Sequence, residues 1–320
     1  MSTVNVHIVT FNSEAFIAVC IQAVLRQTAC IVRIVVIDNA STDGTRDILR
    51  SIEARNPEIK VIYNERNVGF AGAHNQALQQ CETDYFLVLN PDVVLGGDYI
   101  RYLLEFMDRH HDVGSTTGLL VRPSPMQEID SAGVGITKAR RAFDRTSLRP
   151  ENLLLEPEEV FGVSGAAAVY RRQMALEISV QAQFFDESFF AYKEDVDVAW
   201  RSCLSGWKAY CVPRARAEHN RGWQSGDRQR QPRWIRQFSY INRYRMMFKN
   251  EQWSYLLRHA WCILPYELAA LSYVLLVEPF LLKAWLRLWA DRRSLSSSRE
   301  SVRRMRRAPW WDVYRYFGER

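Results

Sequence analysis

Short runs of β-branched and other apolar residues alternate with amphipathic segments over the first hundred residues of the chain. The short runs predict four buried strands, at residues 4–10, 32–37, 59–63 and 85–89. Apolar residues at helical spacing predict four helices, at residues 13–27, 42–54, 72–80 and 98–109. Because strand–helix alternation at this spacing is typical of right-handed βαβ units, we expect a mostly parallel α/β sheet.

The pattern becomes less regular after about residue 113. Further strands are expected at residues 118–122, 160–163, 166–171 and 207–212, and a further helix at residues 193–204. The polar, proline-containing stretch 123–157 is interpreted as an insertion or a mobile loop over the sheet. Residues 218–232, rich in Gly, Arg and Gln, predict a flexible loop.

The C-terminal part is mainly helical in pattern and strongly apolar at residues 260–290. Charged residues and prolines interrupt this stretch, and no uncharged run reaches the ~18 residues expected of a spanning helix. Two interpretations stay open: a helix lying in the membrane interface, or helices that pack on the protein or on a second subunit. Seven arginines against the single acid Glu300 follow at 292–307, a pattern that suits a solvated tail or an anionic membrane surface.

The amino-acid composition indicates how large a domain the chain can form and which compartment suits it. The 320 residues are 48% hydrophobic with a formal charge of +6, which is ample for one large domain with a helical appendage. The six cysteines show no C-x-x-C spacing, so we expect free thiols in a reducing cytosol. The N-terminus lacks the pattern of a signal segment, and we expect the protein to stay on the cytoplasmic side.

Two polar positions follow predicted strands of the first half. Asp38 ends the second strand, where its carboxylate could accept the imide N–H of uracil or thymine. The structural alternative is that Asp38 begins a turn and Asp43 caps the next helix. Asn67, after the third strand, lies in a turn that could admit a ribose or a base. Ligands of parallel sheets bind at these carboxyl ends of the strands.

A second group of polar residues suits a metal ion. The turn Asn90-Pro91-Asp92 ends the fourth strand, because Pro91 cannot continue the ladder. The hard oxygens of Asp92 could hold Mg²⁺ or Mn²⁺ against a diphosphate. His219 could supply a second protein ligand. An ordinary turn and a structural histidine are the alternatives.

The densest acidic cluster is Glu194-Asp195-Val196-Asp197, in an apolar and aromatic setting. Asp197 and Arg201 are four residues apart on the predicted helix and are expected to pair on its surface. Glu194 and Asp195 lie at the helix start, where the dipole favours carboxylates. A carboxylate held at a cleft could also deprotonate an acceptor hydroxyl, so both a structural and a catalytic role stay open.

Together, and in this order, these segments resemble the family-two glycosyltransferases of the GT-A fold, and among them the bacterial rhamnosyltransferases. The matching pieces are HIVTFNS (7–13), VVIDNASTDGT (35–45), NERNVGFAGAHNQAL (64–78), FLVLNPDVVL (86–95), FFDESFFAYKEDVDVAWR (184–201) and GWKAYCVPRARAEHNRG (206–222). The resemblance implies a catalytic domain at residues 1–230, with a nucleotide-sugar half at 1–112 and an acceptor half at 113–230. Residues 231–320 form a C-terminal helical region that matches less specifically.

The resemblance also implies roles for individual residues. The nucleotide contacts would be Thr10, Asp38 and Asn67, and Arg221 would stabilise the departing nucleoside diphosphate. Asp92 and His219 would be the ligands of a divalent metal, Mg²⁺ or Mn²⁺. Asp195 would be the general base of a single inverting displacement, with Glu194 as the second candidate. The family's D-x-D motif reads Asn90-Pro91-Asp92 here, and the loss of one carboxylate puts the strictness of metal dependence in question.

Substrates and partners follow from the same resemblance. The donor expected first is dTDP-rhamnose, with a UDP-sugar of galactofuranose or a hexose as the alternative. The acceptor is expected to be a polyprenyl-diphosphate-linked saccharide of a bacterial surface polysaccharide. The basic, apolar C-terminal region then predicts a peripheral enzyme on the inner face of the cell membrane, and a homodimer also stays open.

Other classes fit less well. No G-x-G-x-x-G follows the first strand and no G-x-x-x-x-G-K-[ST] occurs, which excludes the common dinucleotide and P-loop signatures. The arginines cluster at one end without interleaved aromatics, so we expect no nucleic-acid partner. A nucleotide-sugar-binding protein that has lost its chemistry is the remaining non-enzyme alternative.

Overall fold

A computed structural model describes residues 2–123, 128–146, 156–221 and 231–318. In these residues the strands are β1 (Val4–Thr10), β2 (Ile31–Asp38), β3 (Ile59–Tyr63), β4 (Tyr85–Leu89), β5 (Val93–Leu95), β6 (Val113–Val121), β7 (Ile129–Ser131), β8 (Val134–Ile136), β9 (Ala142–Asp144), β10 (Glu158–Val160), β11 (Ala167–Arg171) and β12 (Lys208–His219). The helices are α1 (Ile17–Leu25), α2 (Thr45–Glu53), α3 (Gly69–Leu78), α4 (Tyr99–Arg109), α5 (Arg172–Ile178), α6 (Glu194–Leu204), α7 (Arg233–Asn250), α8 (Trp253–Arg258), α9 (Ala260–Leu276), α10 (Ala284–Ala290), α11 (Arg292–Met305) and α12 (Trp310–Tyr314). Short 3₁₀ helices lie at Glu187–Phe189 and Pro279–Lys283.

One large mixed sheet organises the fold. Its strand order is β10-β12-β6-β11-β4-β1-β2-β3, with β5 beside β12 and β7 beside β6. The four strands β3, β2, β1 and β4 are all parallel, whereas β11 runs antiparallel to both β4 and β6. A sheet with a parallel half, flanked by helices, confirms the predicted α/β class.

Both faces of the parallel half are buried. In β2 the side chains of Ile34 and Val36 enter one core with α1, while Val35 and Ile37 enter another core with α3. This alternation follows from the period of two along a strand. Because each face needs an apolar cover, the strand reads as a continuous apolar run. The helices therefore hold the carboxyl ends of β1, β2 and β4 at one edge.

The C-terminal helices share a core with α6. One cluster of buried apolar side chains joins α6, α7, α11 and α12, and it includes Trp200, Met246, Val302 and Tyr314. The arginine-rich stretch is not a free tail, because it forms α11, whose Leu295 and Val302 are buried. The division of the chain at residue 230 stays a prediction.

The segments after residue 113 differ most from expectation. The interpretation of 123–157 as a loop is wrong for residues 129–144, which contain β7, β8 and β9; residues 124–127 and 147–155 lie outside the described part. The strand expected at 207–212 continues to His219, so His219 lies in β12 and not in the predicted flexible loop. Residues 222–230 of that loop also lie outside the described part.

The apolar C-terminal stretch is divided between α9, a 3₁₀ helix and α10. Among the described residues, each helix taken singly falls short of the length and hydropathy that crossing a bilayer requires. The consecutive segments Ala260–Leu276 and Pro279–Ala290 meet the requirement only when they are taken together, and the chain bends by 109° between them.

Candidate active site

Thr10 and Asp38 lie side by side at the ends of two parallel strands. Their Cα atoms are register partners in the β1–β2 ladder, and both side chains are buried. Oδ2 of Asp38 accepts hydrogen bonds from Nε of Arg46 at 2.7 Å and from the backbone N–H of Ser41 at 3.2 Å. Oδ1 of Asp38 and Oγ1 of Thr10 have no hydrogen-bond partner within the described residues. A buried polar atom without a partner is costly, so both atoms are suited to a ligand.

The neighbouring loop is organised by Asn39, which sequence reasoning did not single out. Its Nδ2 donates to Oδ1 of Asn67 at 2.8 Å, and its Oδ1 accepts from the backbone N–H of Val68 at 2.9 Å. Asn67 also accepts from the N–H of Gly69 at 2.8 Å. Gly69 has φ of +80°, and a Cβ there would lie 2.5 Å from the carbonyl oxygen of Phe190. Asn67 therefore shapes the loop beside Asp38, and its contact with a nucleoside stays a prediction.

Asp92 and His219 meet because β5 and β12 are antiparallel neighbours. His219 is the register partner of Val93, the residue after Asp92. The imidazole Nε2 lies 3.5 Å from Oδ1 of Asp92, which is buried without a hydrogen bond. The other ring nitrogen, Nδ1, lies 2.8 Å from Oδ2 of Asp130 in β7. The structure thus brings the two predicted metal ligands together and adds a buried third residue, Asp130.

The electrostatics of His219 follow from this setting. Burial lowers the pKa of the imidazole, but the carboxylates of Asp130 and Asp92 outweigh burial and raise the pKa to about 9. The contact with Asp130 fixes the ring so that Nε2 points at Asp92. A carboxylate that orients a histidine in this way is a common support of metal ligands.

Asp195 lies at the start of α6, close to the same sheet edge. Its Oδ2 accepts from the backbone N–H of Gly165 at 3.3 Å, and its Oδ1 accepts from the N–H of Val196 at 2.8 Å. The next residue after Gly165, Ala166, accepts at its carbonyl from the N–H of Asn90 at 2.8 Å. This short path ties Asp195 to the turn that carries Asp92.

Asp195 and Glu194 differ in exposure. Asp195 is partly exposed, whereas Glu194 is buried with Oε2 unpartnered among the described residues. Burial is the main cause that raises the pKa of Asp195, and the pKa of Glu194 lies well above its ordinary value through burial and the charge of Asp195. A carboxylate of raised pKa at a partly open position is suited to proton abstraction.

The chain's sequence also matches a known family. A family model described as "Glycosyl transferase family 2" matches residues 5–178, more than half of the 320 residues. The chain belongs to this family. The resemblance seen in the sequence motifs is confirmed, and the protein is a family-2 glycosyltransferase.

Relatives of this glycosyltransferase include proteins of stated chemistry. A protein of Mycobacterium tuberculosis (strain H37Rv) named N-acetylglucosaminyl-diphospho-decaprenol L-rhamnosyltransferase is 28% identical over 217 residues, which cover 61% of this chain and 68% of that protein. Its name states the sugar that it moves and the lipid-linked saccharide that receives it.

Solved structures share the fold. A structure of GalNAc-T7 with UDP, GalNAc and Mn²⁺ is 18% identical with a TM-score of 0.63 over 78% of this chain, and this chain spans 49% of that one. A mannosyltransferase from Pyrobaculum calidifontis with GDP-Man and Mn²⁺ is 17% identical with a TM-score of 0.57, covering 91% of this chain and 75% of that one. The GT-A fold of the family-2 glycosyltransferase is therefore confirmed.

Within the described residues of the glycosyltransferase, no three His, Cys, Asp or Glu side chains form a ready-made metal group. The pair Asp92 and His219 nevertheless fits a divalent ion, because an unpartnered carboxylate oxygen and a ring nitrogen converge at 3.5 Å. Ions such as Mg²⁺ commonly take only one or two protein ligands, with substrate phosphates and water completing the shell.

Arg221 is placed beside this pair but is already engaged. Its Nε lies 3.2 Å from Oδ2 of Asp130, and its NH2 lies 2.7 Å from Oδ2 of Asp144. The guanidinium thus lies at the site, bound to two carboxylates, and its predicted contact with the departing diphosphate stays a prediction.

The prediction that Asp197 and Arg201 pair on the surface of the helix is wrong about the surface. The two side chains do pair, at 2.9 Å, but both are fully buried. Lys249 from α7 adds a second cation, 2.7 Å from Asp197 and 2.7 Å from Asp186. The remaining oxygen of Asp197 accepts from Nδ2 of Asn250 at 2.8 Å. Asp197 therefore supports the helix that carries Asp195 from inside the protein.

The loop before α6 is held by the C-terminal region. Phe190, Tyr192 and Lys193 have positive φ, at 62°, 71° and 71°, which is uncommon outside glycine. Nδ2 of Asn242 in α7 lies 2.8, 3.0 and 2.9 Å from the carbonyl oxygens of Phe189, Ala191 and Tyr192. These contacts fix the loop conformation and with it the start of α6.

Proposed function

We propose that this family-2 glycosyltransferase moves L-rhamnose from dTDP-rhamnose to a lipid-linked saccharide with inversion at the anomeric carbon, in the synthesis of a bacterial surface polysaccharide. The observation that carries transfer chemistry is the convergence of Asp38, Asp92 with His219, and Asp195 along one sheet edge. The choice of rhamnose and of a lipid-linked acceptor rests on the name of the mycobacterial relative.

The donor base would occupy the edge formed by β1 and β2. Oδ1 of Asp38 would accept the imide N–H of thymine or uracil, and Oγ1 of Thr10 would complete a second hydrogen bond. Arg46 and Ser41 hold the other carboxylate oxygen, so Asp38 cannot turn away from the ligand. The loop that Asn67 shapes would close the nucleoside side of the pocket.

The diphosphate would lie beside Asp92 and His219, which would hold a divalent ion. Such an ion, when bound, neutralises charge that develops on the departing nucleoside diphosphate. Asp130 would keep Nε2 of His219 directed at the ion. Arg221, which Asp130 and Asp144 hold at the same place, would face the leaving group with the remaining donors of its guanidinium.

Asp195 would act as the general base. An acceptor hydroxyl oxygen attacks the anomeric carbon, the carboxylate of Asp195 takes the hydroxyl proton, and the bond between that carbon and the diphosphate oxygen breaks. Gly165 and Val196 donate to the carboxylate and fix its orientation. Burial and the charge of Asp195 raise the pKa of Glu194 well above its ordinary value, which favours the protonated form, so Glu194 would stabilise the site without accepting the proton.

The donor is tested by exchange of nucleotide sugars. Purified protein is incubated with Mn²⁺, a lipid-linked N-acetylglucosamine acceptor and, in turn, dTDP-rhamnose, UDP-galactofuranose or UDP-glucose, and released nucleoside diphosphate and labelled product are measured. We expect product only with dTDP-rhamnose, together with the largest rise in melting temperature, since a ligand stabilises the folded state by mass action. Product from a UDP-sugar would replace rhamnose by that sugar, and donor binding without any turnover would favour a non-catalytic binding protein.

The metal assignment predicts an effect at a residue that contacts no substrate. Asp130→Asn should raise the Mn²⁺ concentration needed for half-maximal turnover by about 10–100-fold, because the carboxylate of Asp130 contacts Nδ1 of His219 and orients this ligand. The matched control is Asp98→Asn, an exposed aspartate paired with Arg101, which should leave the Mn²⁺ requirement unchanged. Full activity of the wild-type protein after treatment with a chelator would contradict the assignment.

A further inference from the structure

Large apolar side chains are exposed on one part of the molecule. In the described part of the chain, 14 of the 22 large apolar residues that are exposed lie between Trp253 and Trp289. We call these side chains the apolar face: Trp253, Leu257, Trp261, Leu264, Leu268, Leu271, Tyr273, Leu275, Leu276, Val277, Leu282, Trp285, Leu286 and Trp289. Scattered exposed apolar residues are ordinary, but a set concentrated on α8, α9, α10 and the segment between α9 and α10 marks an interaction surface.

The acidic residues of this segment are paired with the rest of the protein. Each of the three carboxylates between residues 253 and 293 is bound by an arginine of α7, in the pairs Glu267–Arg243, Glu278–Arg236 and Asp291–Arg245 at 2.5, 2.6 and 2.8 Å. Glu267 also accepts from the hydroxyl of Tyr244. Glu278 is buried, whereas Asp291 keeps 42% of its side chain exposed, so the ion pairs offset the negative charge of the segment without burying all of it.

The basic residues of the same segment point outward. Arg258, Lys283, Arg287, Arg292 and Arg293 are all exposed. Exposed tryptophans accompany them: the Arg292 guanidinium lies 4.9 Å from the ring centre of Trp289. Long cationic side chains and tryptophans beside an apolar surface are typical of the boundary between lipid headgroups and acyl chains.

We propose that the apolar face docks on an anionic lipid bilayer, with its leucines in the acyl region and its five cations at the phosphates. The positive charge beside the apolar face favours a lipid bilayer over a second copy of the chain as the partner of this face. A symmetric dimer through this face would bring the same five cations of both copies into one interface, where like charges repel. An anionic bilayer provides the opposite charge and the apolar phase together.

The docking face is continuous with the catalytic segment. The Arg287 guanidinium lies over the ring of Phe238 at 5.1 Å, and Phe238 stacks on Phe190 with ring centres 5.0 Å apart. Phe190 belongs to the loop that leads into α6 and Asp195. Docking would thus place the acceptor side of the site near the bilayer surface. This placement rests on the proposed function, whereas the docking itself does not.

The apolar contribution is tested by vesicle sedimentation with the full chain. Leu268→Ser, Leu276→Ser and Leu286→Ser together should lower the partition coefficient onto phosphatidylglycerol-containing vesicles by at least about tenfold, because three acyl contacts are lost. The control carries Val19→Ser, Val32→Ser and Leu176→Ser, which are exposed elsewhere, and should bind like the wild type. Since all six side chains are exposed, we expect both variants to fold, which circular dichroism checks.

The charge contribution needs a second pair of variants. Arg292→Glu with Arg293→Glu should abolish the preference for phosphatidylglycerol over phosphatidylcholine vesicles, whereas Arg33→Glu with Arg55→Glu, the same change on the sheet side, should keep it. Equal partition of the leucine variant and its control would overturn the proposal. So would a dimer in solution that the three serine substitutions dissociate. Donor hydrolysis in lipid-free buffer is followed in parallel, so that loss of docking is separated from failure of the proposed chemistry.

Discussion

Replacing Asp195 by Asn should lower glycosyl transfer by about 10³-fold, within the range that a positioned general base contributes. The amide keeps the shape of the side chain and its place beside Gly165, but it cannot take the proton of the acceptor hydroxyl. Donor binding should be unchanged, because Thr10 and Asp38 lie on β1 and β2, whereas Asp195 lies on α6. Single-turnover transfer and donor titration by calorimetry measure the two effects separately.

Glu194→Gln is the discriminating comparison for this prediction. The glutamine resembles the protonated acid that burial favours at this position, so turnover should fall far less than in Asp195→Asn. Because burial raises the pKa of Asp195 above the ordinary value of about 3.9, wild-type turnover should decline as the pH falls through that raised value, where the base becomes protonated. An inactive Glu194→Gln beside an active Asp195→Asn would reverse the assignment.

The buried ion network predicts the largest change in stability. Asp197→Ala should lower the free energy of unfolding by about 3–5 kcal/mol, because it leaves the buried cations of Arg201 and Lys249 without their shared carboxylate. Urea denaturation followed by tryptophan fluorescence measures the change.

Asp47→Ala provides the matched control, since Asp47 forms an exposed ion pair with Arg50 three residues away. Loss of this ion pair should lower the free energy of unfolding by no more than about 1 kcal/mol. If Asp197→Ala and Asp47→Ala lower the free energy of unfolding by the same amount, the network around Asp197 does not contribute the stability that its burial indicates.

The parallel half of the sheet could be predicted closely from the sequence. The predicted strands at residues 4–10, 59–63 and 85–89 coincide with β1, β3 and β4. β1 and β4 are buried, mostly apolar runs, so their local pattern and their tertiary environment agree. β3 lies at the end of the sheet, and within it only Ile59 is buried. The carboxyl ends of such strands share one edge, which is why Asp38 was expected near a ligand, whereas Thr10 was expected at the nucleotide from the family resemblance alone.

The segments after residue 113 could not be predicted as well, because their structure depends on pairing between residues distant in the sequence. The strands β7, β8 and β9 have three residues each, too few to show a period. The sequence therefore does not predict that Asp130 contacts His219, because this contact depends on the pairing of β7 with β6. In β12 the sequence contains Pro213, which suggests the end of a strand, yet the strand continues past a register shift between Cys211 and Arg216.

Side-chain burial shows the same limit. The spacing of Asp197 and Arg201 predicts their pairing correctly, but spacing says nothing about which side of the helix is covered. Lys249 lies 52 positions after Asp197 in the chain and covers that side from α7. The sequence motifs thus indicated which residues to consider for the site, but they did not indicate how far those residues are buried or what they contact.

The core shared by α6 and the C-terminal helices limits how acceptor specificity can be re-engineered. A chimera that joined the first 230 residues to the tail of another family member would lose the lysine that Asp186 and Asp197 share and the amide of Asn242 beneath the loop before α6. The transplanted tail would have to supply the same two side chains at the same places. In such a chimera, α6 and α7 would have to be exchanged together. The parallel half of the sheet could then be kept.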